Sequence, residues 1–160
     1  ADICCTLPAE PSLYGWYSES CELAPVSFCT LEELAPLDSG IEIKELYADE
    51  YSYRRIDLLK AKPYISLYYD WLRFQEAIFK TYGGGFYAYK DGVACGYLDG
   101  DTLMIKEALN DAPEFIPVLC RKLGAKKAVV RRPAAEGQPY IVAYEKGAYP
   151  PDTLWNLSLD

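Results

Sequence analysis

The stretch from residue 83 to 132 constrains the fold of this chain more than any other part. Gly83-Gly84-Gly85 opens it, and Phe86-Tyr87-Ala88-Tyr89 reads as a strand. Lys90-Asp91-Gly92 turns the chain into a second strand over 93–98, and Asp99-Gly100-Asp101 turns it again into a third over 102–107. Glycine and aspartate turns between short apolar or β-branched runs predict an antiparallel meander. A helix follows from about 111 to 123, and 125–132 reads as a further strand. This order predicts an α+β fold with a mixed, mostly antiparallel sheet flanked by helices.

Upstream, 2–7 reads as a buried strand ended by Pro8, and 10–20 as a short helix with Leu13, Tyr14, Trp16 and Tyr17. Pro11 suits the first turn of that helix. A further strand is expected over 25–30. Leu34 to Gly40, with Pro36 and Gly40, is the best linker candidate. After it, 43–60 is expected to be helical and is closed by Pro63. A second helix is expected over 67–82, with Trp71, Phe74 and Ile78 at i, i+3, i+7 on its apolar face. Beyond 132 the chain reads as a loop, a strand over 140–144, the Pro150-Pro151 break and a last strand-type segment over 153–159. The expected division is therefore 1–40 and 41–160.

The chain has 160 residues, of which 51% are hydrophobic, enough for a packed core. Its first residue is Ala1, and 3–5 already reads as strand, so a piece of a longer chain is expected. No apolar run approaches the roughly 18 residues of a membrane span. A net charge of −8 argues against nucleic acid as a partner. The charge is uneven, however: Arg121, Lys122, Lys126, Lys127, Arg131 and Arg132 lie within twelve residues with no acid among them. They read either as a solvated helix end and strand or as an anion-binding edge. The six cysteines match no zinc spacing, and there is no histidine to act as metal ligand or general base. Reduced thiols in a cytosolic protein are the simplest account.

From residue 43 onward, the order of elements and the run Gly83-Gly84-Gly85-Phe-Tyr-Ala-Tyr-Lys-Asp-Gly-Val-Ala-Cys-Gly-Tyr resemble a GNAT-type N-acyltransferase domain. In particular they resemble the second unit of tandem, bacterial GNAT-like proteins. Residues 7–17, Leu-Pro-Ala-Glu-Pro-Ser-Leu-Tyr-Gly-Trp-Tyr, resemble the last strand and helix of a preceding unit. The resemblance implies acetyl-CoA as cofactor and a small-molecule primary amine as acceptor if the domain is active. It also puts Tyr17 at the place of a tyrosine that acts as general acid, and Glu107 where a catalytic base can lie. Aromatic packing for Tyr17 and a surface carboxylate for Glu107 are the plain alternatives.

One departure bears on the cofactor. The family places a basic residue and glycines between the fourth strand and the next helix, where backbone N–H groups hold a diphosphate. Here residues 107–114 read Glu-Ala-Leu-Asn-Asp-Ala-Pro-Glu, with no glycine and no base. Two unit charges about 5 Å apart interact by about 3 kcal/mol at an effective dielectric near 20, so the acids would repel a diphosphate. The expectation is a degenerate unit with no cofactor of its own, acting in binding, self-association or completion of a missing catalytic half. An active enzyme would have to use N–H groups near Asn110, Asp111 and Ala112, together with Lys126 and Lys127, for the phosphates. A third reading takes the tyrosines of the second unit, with 153–159, as an interaction surface that recruits another subunit by strand addition.

Overall fold

The computed structural model describes residues 5–8, 10–61 and 63–144. In chain order the elements are β1 (Cys5–Thr6), α1 (Leu13–Cys21), β2 (Leu23–Leu34), β3 (Lys44–Leu46), α2 (Ala48–Leu59) and α3 (Tyr69–Thr81). There follow β4 (Gly85–Tyr89), β5 (Gly92–Asp99), β6 (Thr102–Leu109), α4 (Phe115–Lys122), β7 (Lys127–Ala134) and β8 (Gln138–Tyr144). The segment expected over 153–159 lies outside the described residues.

Two compact units emerge: Ala1–Thr30 with Lys62–Ile65 and Arg132–Asp160, and Leu31–Ala61 with Ser66–Arg131. In the first of them β8 pairs antiparallel with both β1 and β2. Its Val142 lies opposite Thr6 on one side and Pro25 on the other. In this first unit the Tyr14 hydroxyl of α1 donates to the Pro139 carbonyl at 2.6 Å, tying the helix to β8.

The second unit contains the meander. β3, β4, β5 and β6 pair antiparallel in that order, and β7 joins β6 in parallel, with Thr102 opposite Lys127 and Ile105 opposite Val130. Successive strand residues face opposite sides. Tyr87, Ala94, Leu103 and Ile105 therefore pack with Phe115, Ile116 and Leu119 of α4, while Phe86, Ala88, Val93 and Cys95 pack with Tyr51 of α2 and Leu72 and Phe79 of α3.

Two expectations are corrected. The helix expected over 43–60 begins only at Ala48, because Lys44–Leu46 adds an edge strand opposite Phe86–Ala88. The Tyr47 N–H then turns to the Glu50 carboxylate at 3.4 Å, and Asp49 and Glu50 sit favourably in the first turn. In α3 the inward face is Leu72, Gln75 and Phe79, the expected i, i+3, i+7 spacing displaced by one residue. That displacement rotates the helix by about 100° and turns Trp71 and Phe74 outward, at 47% and 56% exposure.

Candidate functional site

A β-bulge on β6 positions the most unusual side chain of the second unit. Cys95 pairs with Glu107 but Gly96 with Ile105, so Lys106 is an inserted residue. In a regular strand Ile105 and Glu107 would face the same side. The bulge instead sends Ile105 toward α4 and Glu107 toward α2. Gly96 permits the close approach: a Cβ there would lie 2.1 Å from the Met104 carbonyl oxygen.

On α2, Tyr51 and Arg55 stand one turn apart and meet that carboxylate together. The Tyr51 hydroxyl donates to Glu107 Oε2 at 2.5 Å, and Arg55 Nε donates to Oε2 at 2.9 Å and Oε1 at 3.2 Å. All three residues are buried, with no more than 3% exposure. Burial first, then the neighbouring Cys95 and the Glu107 charge, push the Tyr51 phenol well above its ordinary range. Burial works against the Arg55 charge, but Glu107 outweighs it and raises the guanidinium further. The Cys95 thiol is pushed up to about 12, chiefly by burial and then by the Glu107 charge.

This arrangement is a closed, charge-compensated cluster. Its carboxylate already accepts from the Tyr51 hydroxyl and is paired with the buried Arg55 guanidinium. Glu107 is thus buried rather than at the surface. Tyr51, Arg55 and Cys95 were not singled out from the sequence. The available signal was a tyrosine and an arginine at i, i+4 on a helix, with the arginine on the inward face.

The thiol gives a pH-dependent signature. Its pKa is about 12 in the folded protein against an ordinary 9.0, so above pH 9 unfolding releases a proton. The stability it contributes is complete below that pH and is lost as pH rises toward 12. Cys95→Ala removes this dependence. The stability gap between wild type and variant, measured by urea unfolding, is expected to narrow by about 1–2 kcal/mol between about pH 8 and about pH 10.5. A gap that stays constant would contradict the burial-driven shift.

The other residues singled out from the sequence fall elsewhere. Tyr17 lies on α1 in the first unit, half-buried and edge-on to Trp16. Asn110, in a left-handed conformation at φ 50°, leads with Asp111 and Ala112 from β6 toward α4. α4 starts at Phe115, later than expected. Glu114, just before the helix, accepts from Lys90 at 2.9 Å, a contact that holds its carboxyl below the usual range. Lys126 and Lys127 flank the start of β7, opposite Thr102. β6 separates that end from Asn110 by about 26 Å at roughly 3.3 Å per residue. The structure does not bring the two groups together.

The basic run is largely engaged locally. Arg121 pairs with Asp38 at 2.7 Å, Lys126 with Asp101 at 2.5 Å and Lys127 with Glu33 at 3.0 Å, while Lys122 donates to the Ile43 carbonyl at 2.8 Å. A diphosphate is a poor match to this donor set. The connection from β6 to α4 presents Asp111 and Glu114, no glycine and no cation of its own, and the lysines lie at the far end of the strand. Among the described residues no group of three His, Cys, Asp or Glu side chains is placed to hold a metal, and no helix is long and apolar enough to cross a membrane. Among the described residues Cys21, Cys95 and Cys120 are free thiols.

No family model and no curated protein sequence matches the chain. Among solved structures, a GCN5-related N-acetyltransferase from Kribbella flavida is similar over 88% of this chain, with a TM-score of 0.53 and 11% sequence identity. The match covers 42% of that protein, so the chain spans less than half its length. At this identity the likeness concerns the fold, which is GNAT-like.

Proposed function

We propose that this GNAT-like domain holds no coenzyme of its own and works by binding, either through self-association or by completing the substrate pocket of a catalytic partner. The observation that carries this reading is the acidic, glycine-free connection from β6 to α4. A helix N-terminus attracts a diphosphate through its free N–H groups, and carboxylates placed beside it compete for the same field. The buried Tyr51–Arg55–Glu107 cluster points the same way, because the carboxylate best placed to serve as a base is engaged by the Arg55 guanidinium and the Tyr51 hydroxyl. A cytoplasmic, bacterial setting goes with this reading, and the reduced thiols of Cys21, Cys95 and Cys120 suit a reducing compartment.

Calorimetric titration of acetyl-CoA, with coenzyme A as control, tests this reading. No binding is expected up to roughly millimolar ligand, the range of a Kd worth only about 4 kcal/mol. Micromolar binding, or acetyl transfer to a primary amine, would overturn it.

A second reading is an active acetyl-CoA-dependent N-acetyltransferase acting on a small-molecule amine. Glu107 favours it, as a carboxylate lodged just past a strand bulge in a fold shared with an N-acetyltransferase. It predicts that acetyl-CoA at about 100 times its Kd stabilises the chain by about 2.7 kcal/mol. It also predicts that charge reversal at Lys126 and Lys127 reduces that gain.

A further inference from the structure

The exposed face of α3 joins aromatic rings to one acid and one base. Trp71 and Phe74 project outward with ring centroids 6.0 Å apart and planes at 81°, and a cleft of about 260 Å³ is lined by Asp70, Trp71 and Phe74. Tyr68, at 81% exposure, and Tyr69 continue the apolar surface at the start of the helix. Arg73 lies three residues after Asp70, its guanidinium 5.8 Å from the centre of the Tyr69 ring. Among the described residues neither Asp70 nor Arg73 has an ion-pair partner, whereas Lys80 on the same helix is paired with Glu76 and Glu45. A chain of net charge −8 is repelled by most surfaces of its own kind, but this face carries balanced charge.

We propose that α3 docks against α3 of a second copy of this chain, antiparallel about a two-fold axis that passes between the two helices level with the midpoint of Trp71 and Leu72. This rests on the reading of the domain as one that works by binding. At about 1.5 Å rise per residue, Asp70 and Arg73 lie about 4.5 Å apart along the helix, on either side of that axis. Reversing the partner helix therefore brings its Arg73 level with Asp70, and its Asp70 level with Arg73. A two-fold axis lying in the contact plane also sets each flank against its own copy. The charged flank meets the charged flank, and Trp71 meets Trp71 of the second copy. Arginine suits the charged flank, because its planar fork of N–H groups can meet a carboxylate with two parallel hydrogen bonds. An isologous contact of this kind needs no second binding surface, and it buries the rings that α3 leaves in water.

Sedimentation equilibrium of the 160-residue chain, up to roughly 1 mM, tests the proposal. The wild type is expected to form dimers. Asp70→Arg and Arg73→Asp are each expected to weaken association by on the order of tenfold or more, since each sets like charges face to face. The double variant Asp70→Arg/Arg73→Asp restores the pairing with its sign reversed, and its association returns toward wild type. Far-UV circular dichroism and thermal melting of each variant show that the fold is retained, and a fold defect would not be rescued by the second exchange. A wild type that stays monomeric, dimers indifferent to both single exchanges, or a double variant without recovery would each overturn the proposal. The acetyl-CoA titration separates the two readings. A dimer that binds acetyl-CoA sinks the coenzyme-free reading and keeps this interface, while a monomer that does not bind it does the reverse.

Discussion

Replacing Arg55 by methionine is expected to destabilise the protein by about 3–5 kcal/mol, the range for removing one partner of a buried ion pair. Arg55 and Glu107 are each 2% exposed at the side chain, so water cannot take the place of the lost guanidinium. Only the Tyr51 hydroxyl then remains, of the contacts described above, to face the Glu107 charge. Methionine keeps most of the volume, so the loss reads the electrostatics more than a cavity. Adding Glu107→Leu to Arg55→Met should recover most of the loss, because a buried pair replaced as a whole by apolar residues is often neutral. Urea unfolding of the two single variants and the double one completes the cycle. A cost below about 1 kcal/mol for Arg55→Met would mean that the pair behaves as a solvated surface contact.

Gly96→Ala is the second large effect, expected to cost on the order of 3 kcal/mol or to prevent folding. The added methyl would lie 2.1 Å from the Met104 carbonyl oxygen and 3.1 Å from the Ile105 Cα, both on the neighbouring strand. The obstruction is backbone, so no side-chain rotamer relieves it, and β5 and β6 must separate where the bulge lies. Gly100→Ala is the control. It sits in the turn between the same two strands at φ 55° with nothing near its Cβ position, so it suffers only the left-handed backbone penalty. That penalty is about 1–2 kcal/mol. Thermal or urea unfolding of both variants checks the order. Gly100→Ala proving as damaging as Gly96→Ala would contradict the close packing of β5 on β6.

The meander from β4 to β6, the helix after it and the strands β7 and β8 were legible because turn chemistry marks their ends. Asp91-Gly92 and Asp99-Gly100 punctuate runs whose alternation has one core on each side. β3 was not legible: three residues between a linker and a helix carry no period of their own, and only the edge of β4 makes them a strand. The face of α3 was misread for a related reason. Trp71, Phe74 and Ile78 have the spacing of an inward stripe, yet Leu72, Gln75 and Phe79 have the same spacing one residue on, and a polar Gln75 hides it.

The candidate site divides in the same way. Local chemistry marked Glu107 and the acidic, glycine-free connection after it, because charge and the absence of glycine are properties of the residues themselves. Whether Glu107 faces water, α4 or α2 depends on one inserted residue, Lys106, and on Gly96 opposite the bulge. Its partners Tyr51 and Arg55 lie more than fifty residues away in sequence. The sequence alone determined the order of elements and the sign of the charge near α4, since both follow from short-range backbone preference and side-chain type. Only the tertiary structure decided which face each side chain presents and which charges meet, because strand register and helix rotation are set by packing between distant segments.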